Sequence, residues 1–179
     1  ACKQLSWPQP THPVPYDHAR NGTAERAVLT MIEQVRAALL QSGLSHRWWS
    51  CAAEHSAFVL NQVMKNDIGQ SPFSLRFPGA APVVLVPFGA LVRVRLPREQ
   101  ARVLLAPFAP VLQDAVFLSY ENDDECKHRG MVVVALCEDL RANARTPTVH
   151  RVAMNNVIQC KPFSFPFRPP GPLRTQDAQ

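Results

Sequence analysis

The spacing of apolar residues changes character once along this chain, and that change limits the folds open to it. Ala24, Val28, Met31, Ile32, Val35 and Leu39 recur at helical period. The pair Asn21-Gly22 just before them is a turn signal, so the spacing predicts a first helix over about 23–42, stopped at Ser42-Gly43. Ser45 is a candidate N-cap for a second helix over about 46–64. Its face would carry Trp49, Ala52, Ala53, Ser56, Ala57, Leu60 and Met64. The small residues permit close helix packing, and Trp48 and Trp49 read as large core anchors. From Val83 onward the period becomes two. Helices first and strands afterwards predict an α+β chain.

The strand signals are short and separated by turns. Val83–Val86 is an apolar run, and Leu91–Leu96 alternates with Arg93 and Arg95 on one face. Ala115–Tyr120, Met131–Leu136, Thr148–Met154 and Val157–Cys160 follow. Such spacing predicts a small antiparallel barrel. In the connector, Ser71-Pro72-Phe73 reads as a short capped helix with Pro at its first position. The chain divides into a Pro-rich extended lead (1–20), a helical part (21–82), a β part (83–161) and a Pro-rich tail (162–179) expected to lack order.

At 179 residues and 46% hydrophobic content, the chain can bury a sizeable core as one ordinary domain or two small ones. No apolar run approaches the roughly 20 residues of a membrane helix, and no signal peptide is visible. The formal charge is +5 with pI about 9.2. Residues 1–70 hold six bases against five acids, so most of the excess lies in 71–179. That balance favours a polyanion partner modestly. The five cysteines form no C-x-x-C pair, which argues against a zinc ribbon or a disulfide framework and for reduced thiols in a nuclear or cytoplasmic setting.

Two features carry candidate chemistry. Glu25 lies in the first predicted helical turn, where the helix dipole favours a carboxylate. A solvated helix edge and a metal ligand are both open for it. Arg93 and Arg95, with Arg98 and Arg102 beyond, form the best basic patch. It reads either as phosphate contact or as a solvated strand face that resists edge pairing. No aromatic residues interleave with these arginines as a single-strand platform would need. The acidic run 121–125 reads as a solvated hairpin loop without an EF-hand pattern.

Pro15-Tyr16, Asn21-Gly22-Thr23-Ala24-Glu25-Arg26, Trp48-Trp49, Ala52-Ala53 and Leu60-Asn61 occur in an order that resembles the integrase of copia-type LTR retrotransposons. The likeness continues through Pro72-Phe73, Phe88-Gly89 and Phe117-Leu118-Ser119-Tyr120, over about Pro13 to Phe163. The resemblance implies the last helices of an RNase H-like core followed by a small SH3-like β domain. It implies DNA integration by metal-dependent phosphoryl transfer, with element ends and target DNA as partners. Glu25 would be the catalytic carboxylate on Mg²⁺ or Mn²⁺, Asn21 and Gly22 would shape the loop before it, and Arg26 would meet DNA. A homo-oligomer and no membrane partner are implied too.

Two departures qualify that implication. The family's two Asp ligands precede the Glu helix by several tens of residues, and Asp17 lies too close to Glu25 to be either. One carboxylate cannot hold two divalent ions, so this chain alone is not expected to catalyse strand transfer. The basic residues that usually follow Glu-Arg are Ala27, Val28 and Leu29 here. The alternatives are a non-enzymatic nucleic-acid-binding module and a decayed relic whose helices expose apolar faces for want of their sheet.

Overall fold

The computed structural model describes residues 18–65, 69–80, 83–97, 101, 110–122, 128–142 and 148–169. Helix α1 (His18–Ser42) leads through a 3₁₀ turn (His46–Trp48) into α2 (Trp49–Val63) and the short α3 (Pro72–Arg76). Strands β1 (Leu91–Arg95), β2 (Leu112–Asn122) and β3 (His128–Leu136) follow, then α4 (Cys137–Ala142), β4 (Val149–Ala153), a second 3₁₀ turn (Met154–Asn156) and β5 (Val157–Gln159). The mixed α+β class read from the periodicity is the observed one.

The described strands all join one antiparallel sheet in the order β4-β3-β2-β1-β5. The first four strands form a meander and the fifth returns to β1. β4 and β5 are thus opposite edges of the sheet, yet only Met154–Asn156 separates them in sequence. The edges of a flat five-stranded sheet would lie about 19 Å apart. A 3₁₀ turn of this length advances only about 8 Å. The sheet must therefore curl strongly, bringing its edges together around a core.

That core contains Val92 and Val94 from β1, Phe117 and Tyr120 from β2, Val132 and Val134 from β3, and Val152 from β4. The opposite face of β2 and β3 is buried as well: Val116, Leu118 and Ala135 pack with Leu44, Trp48 and Ala52. β2 is accordingly buried at every position from Ala115 to Tyr120. A bulge between Phe117 and Ser119 inserts one residue against β3. It reverses the in–out parity, so Phe117 and Tyr120 share the inner face and Ser119 turns toward α2. There its hydroxyl donates to Glu54 Oε2 at 3.4 Å.

The helices do not wait for a sheet from elsewhere. Val35, Ala38 and Leu39, in the C-terminal half of α1, join α2 over this chain's own sheet. The relic alternative, in which these helices lack a sheet to cover, does not describe this packing. The approach is close at two glycines. Gly89 (φ +76°) faces Ser42, whose Cα would lie 3.0 Å from an added Cβ and whose own Cβ would collide with it. Gly43 (φ +72°) lies against the backbone of Phe167 and Arg168, leaving no room for a side chain.

Several local expectations change. α1 begins at His18, so Asn21 and Gly22 are helical and do not end a loop. Helix propagation adds one hydrogen bond per residue, which outweighs the roughly 1 kcal/mol cost of an internal Gly. Ser45 makes no side-chain cap, whereas Ser71 does cap α3, its hydroxyl accepting from Ser74 N–H at 3.2 Å. Trp48 is buried but Trp49 is 62% exposed, because neighbouring helical positions diverge by about 100°. Val83–Val86, read as a strand candidate, forms no strand. The first part of the tail is packed: Phe163 and Phe165 rest on the inner core and Phe167 on the outer cluster. Ser164 C=O accepts from Leu91 N–H at 2.8 Å.

Candidate nucleic-acid interface

The β1 arginines project from the outer face because Val92 and Val94 fill the core between them. Arg93 stands directly opposite Asp114 of β2. Its Nε donates to Asp114 Oδ1 at 3.2 Å, with both side chains more than half exposed. An exposed pair of this kind adds only about 0–1 kcal/mol, but it gives a phosphate a competitor for Arg93. Arg95 is exposed and sits opposite Leu112, so no carboxylate faces it across the ladder. A cavity of about 320 Å³ beside this face is lined by Arg93, Asp114, Glu138 and Arg141. Arg98 and Arg102 lie outside the described residues.

Glu25 and Arg26 lie on a stretch of α1, Ala24 to Leu29, that is exposed throughout. Arg26 borders a groove of about 430 Å³ between α1 and α2, whose floor includes Met31, Leu60 and Met64. The Asn21 side chain lies outside the described set, and Gly22 has open space around it. Among the described residues no group of three His, Cys, Asp or Glu is arranged to hold a metal ion. Glu25 and the β1 arginines are carried on different elements, and no described cavity joins them.

Behind these surfaces sits an aromatic hub that the sequence did not reveal. His55 of α2 is buried and its Nε2 lies 2.8 Å from the Val86 carbonyl, to which the neutral ring donates. Burial pushes its pKa down, opposed in part by that hydrogen bond. The ring stacks near Tyr120 and meets Phe88 and Phe117 edge-on. The Tyr120 hydroxyl accepts from Val86 N–H at 2.6 Å and donates to Val84 C=O at 3.1 Å. Burial pushes that hydroxyl up to about 12. Together the two side chains pin the unpaired 83–88 segment between α2 and the sheet. Only the buried position of His55 one turn beyond Ala52 could have signalled this from sequence.

A larger cleft, of about 540 Å³, opens between α2, α3, the end of β2 and the middle of β4. Its wall includes Phe73, Arg76 and Phe77 of the α3 region and Arg151 of β4. None of these four was singled out for binding by sequence reasoning. Cys137 is buried and its thiol is pushed up to about 11, chiefly by burial, so it is not a reactive nucleophile. Among the described residues no helix is long and apolar enough to cross a membrane.

No protein-family profile, curated protein or solved structure matches the chain.

Proposed function

We propose that this chain is the DNA-contacting C-terminal part of a copia-type retrotransposon integrase, holding the last core helices and a small SH3-like barrel, and that by itself it binds DNA without cutting or joining it. The observation that carries this reading is the curled meander whose last strand returns to β1, with Arg93 and Arg95 on its outer face. A five-stranded sheet curled this way supports the barrel expected after the integrase helices. Its arginine face supports phosphate contact, which is independent of base sequence.

Glu25 is the catalytic candidate by resemblance alone. It offers one carboxylate on an exposed helical stretch, and a pair of divalent ions needs several oxygen ligands. Mg²⁺ or Mn²⁺ chemistry would require acidic residues brought to it by other parts of an integrase assembly. The exposed apolar residues Val28, Leu29 and Ile32 beside it support burial of this stretch in such an assembly, in line with the homo-oligomer the family implies. A nuclear or cytoplasmic location follows from the same reading.

The test is fluorescence anisotropy of a labelled 20-base-pair duplex with the full chain, beside the Arg93→Ala/Arg95→Ala double variant. The reading requires duplex binding in the wild type and a several-fold loss in the variant. Equal binding by both proteins, or none by either, would overturn it.

A further inference from the structure

We propose that the cleft between α2, α3, the end of β2 and the middle of β4 is a binding site for single-stranded nucleic acid, taking one unpaired base with its flanking phosphates. The proposal rests on the DNA-binding reading above and deepens it by adding a second site with a different substrate form.

Base–aromatic stacking needs an accessible ring, and phosphate recognition needs a cation beside it. The β1 face supplies arginines without aromatics. The cleft supplies both. Phe73 and Phe77 lie one helical turn apart, their ring centroids 5.1 Å from each other and tilted by 50°, and both rings are only half-buried. Arg76, between them in sequence, holds its guanidinium 5.5 Å above the Phe77 ring. A base laid against this pair would meet an aromatic face, while Arg76 reached the adjoining phosphate. Arg151, 72% exposed, stands on the opposite rim, 3.5 Å from Glu121 Oε1.

The cleft lining is suited to the edge of a base. Asn61 and Gln62 both line it, and amide side chains pair bidentately with base edges. Gln62 Nε2 is buried and has no hydrogen-bond partner among the described residues. An unmet donor of that kind is costly until an acceptor reaches it. Glu54 and Glu121 also line the cleft. They would repel a phosphate placed beside them, but carboxylates accept from exocyclic amines such as cytosine N4. The charges thus orient the ligand with its base inward and its phosphates at the arginine rim. A cavity of about 540 Å³ falls within the range usual for small-ligand sites. A duplex would not fit, because its bases are stacked within it.

The experiment is anisotropy of labelled dC12 with the full chain, set beside the duplex measurement. Phe77→Ala and Arg76→Ala should each weaken dC12 binding, Phe77→Ala by about ten- to a hundred-fold, and leave duplex binding within two-fold. Arg76 is exposed, so its variant keeps the test decisive should Phe77→Ala disturb α3. Arg93→Ala/Arg95→Ala should do the reverse. If the chain binds duplex while both cleft variants hold dC12 like the wild type, this inference falls and the DNA-binding reading stands. If the chain binds neither probe, both fall.

Discussion

Replacing Tyr120 by Phe removes a single oxygen, and the structure allows its cost to be worked out at neutral and at alkaline pH. At pH 7 the loss leaves the Val86 N–H, held at 2.6 Å by the hydroxyl, without its partner in a residue only 1% exposed. A buried orphan donor costs about 1–3 kcal/mol. For a chain of this length each kcal/mol lowers Tm by about 2–4 °C, so Tyr120→Phe should melt roughly 4–8 °C lower for a mid-range loss of about 2 kcal/mol. The alkaline limb should move the other way. Burial raises the folded hydroxyl from 10.0 to about 12. Its contribution is intact below pH 10 and is lost as pH rises toward 12, because the unfolded chain sheds that proton first. Over two pH units this is about 2–3 kcal/mol. The variant lacks the group and should lose less stability over that window. Thermal melts at pH 7 and urea titrations at pH 7, 10 and 11.5, both followed by circular dichroism, would measure both effects. A variant within 1 °C of wild type at pH 7, with an identical alkaline slope, would refute the argument that Tyr120 pins the 83–88 segment.

His55 predicts the acid side. Its folded pKa is depressed, so stability is full above the unfolded value near 6.5 and falls as pH drops below it. His55→Gln should flatten that decline, which in wild type can reach about 1.4 kcal/mol per pH unit; unchanged slopes in matched urea titrations would count against it. Trp48→Ala should cost about 3–5 kcal/mol, while Trp49→Ala, at an exposed site, should stay within about 0.5 kcal/mol; equal losses would contradict the packing described. Asp114→Asn releases Arg93 from its cross-strand partner and should tighten duplex binding a few-fold by anisotropy; weaker binding would show that Arg93 needs Asp114 to be held in place.

The elements were largely legible because their periods are strong. The alternation at 91–96 and the apolar runs at 115–120 and 131–136 each mark an observed strand, since a half-buried strand must alternate and a central one must be apolar throughout. The pairing of helices with the sheet was not legible. It depends on the outer face of β2, and the Phe117–Ser119 bulge that sets this face leaves no trace in local spacing. The start of α1 was misplaced because Asn-Gly is a turn pair in isolation, while helix continuity overrode it here. The tail misled for a similar reason: its prolines hide three phenylalanines that have apolar surface to cover. Of the site, Arg93 and Arg95 were readable as outward from alternation alone. Asp114 as the partner of Arg93 was not, because it lies 21 residues away. The cleft at Phe73 and Phe77 combines α2, α3, β2 and β4, so no single stretch announces it.

The central claim is that the arginine face of β1 binds DNA through its phosphates, and the salt dependence of duplex affinity tests it most directly. Phosphate contact releases counterions, so log K should fall linearly with log salt, by about 0.9 per phosphate neutralised. Arg95→Ala should reduce that slope by about one, and Arg93→Ala by less, because Asp114 already shares its charge. A duplex affinity that is flat from 50 to 200 mM salt, or a slope that neither substitution changes, would contradict the account.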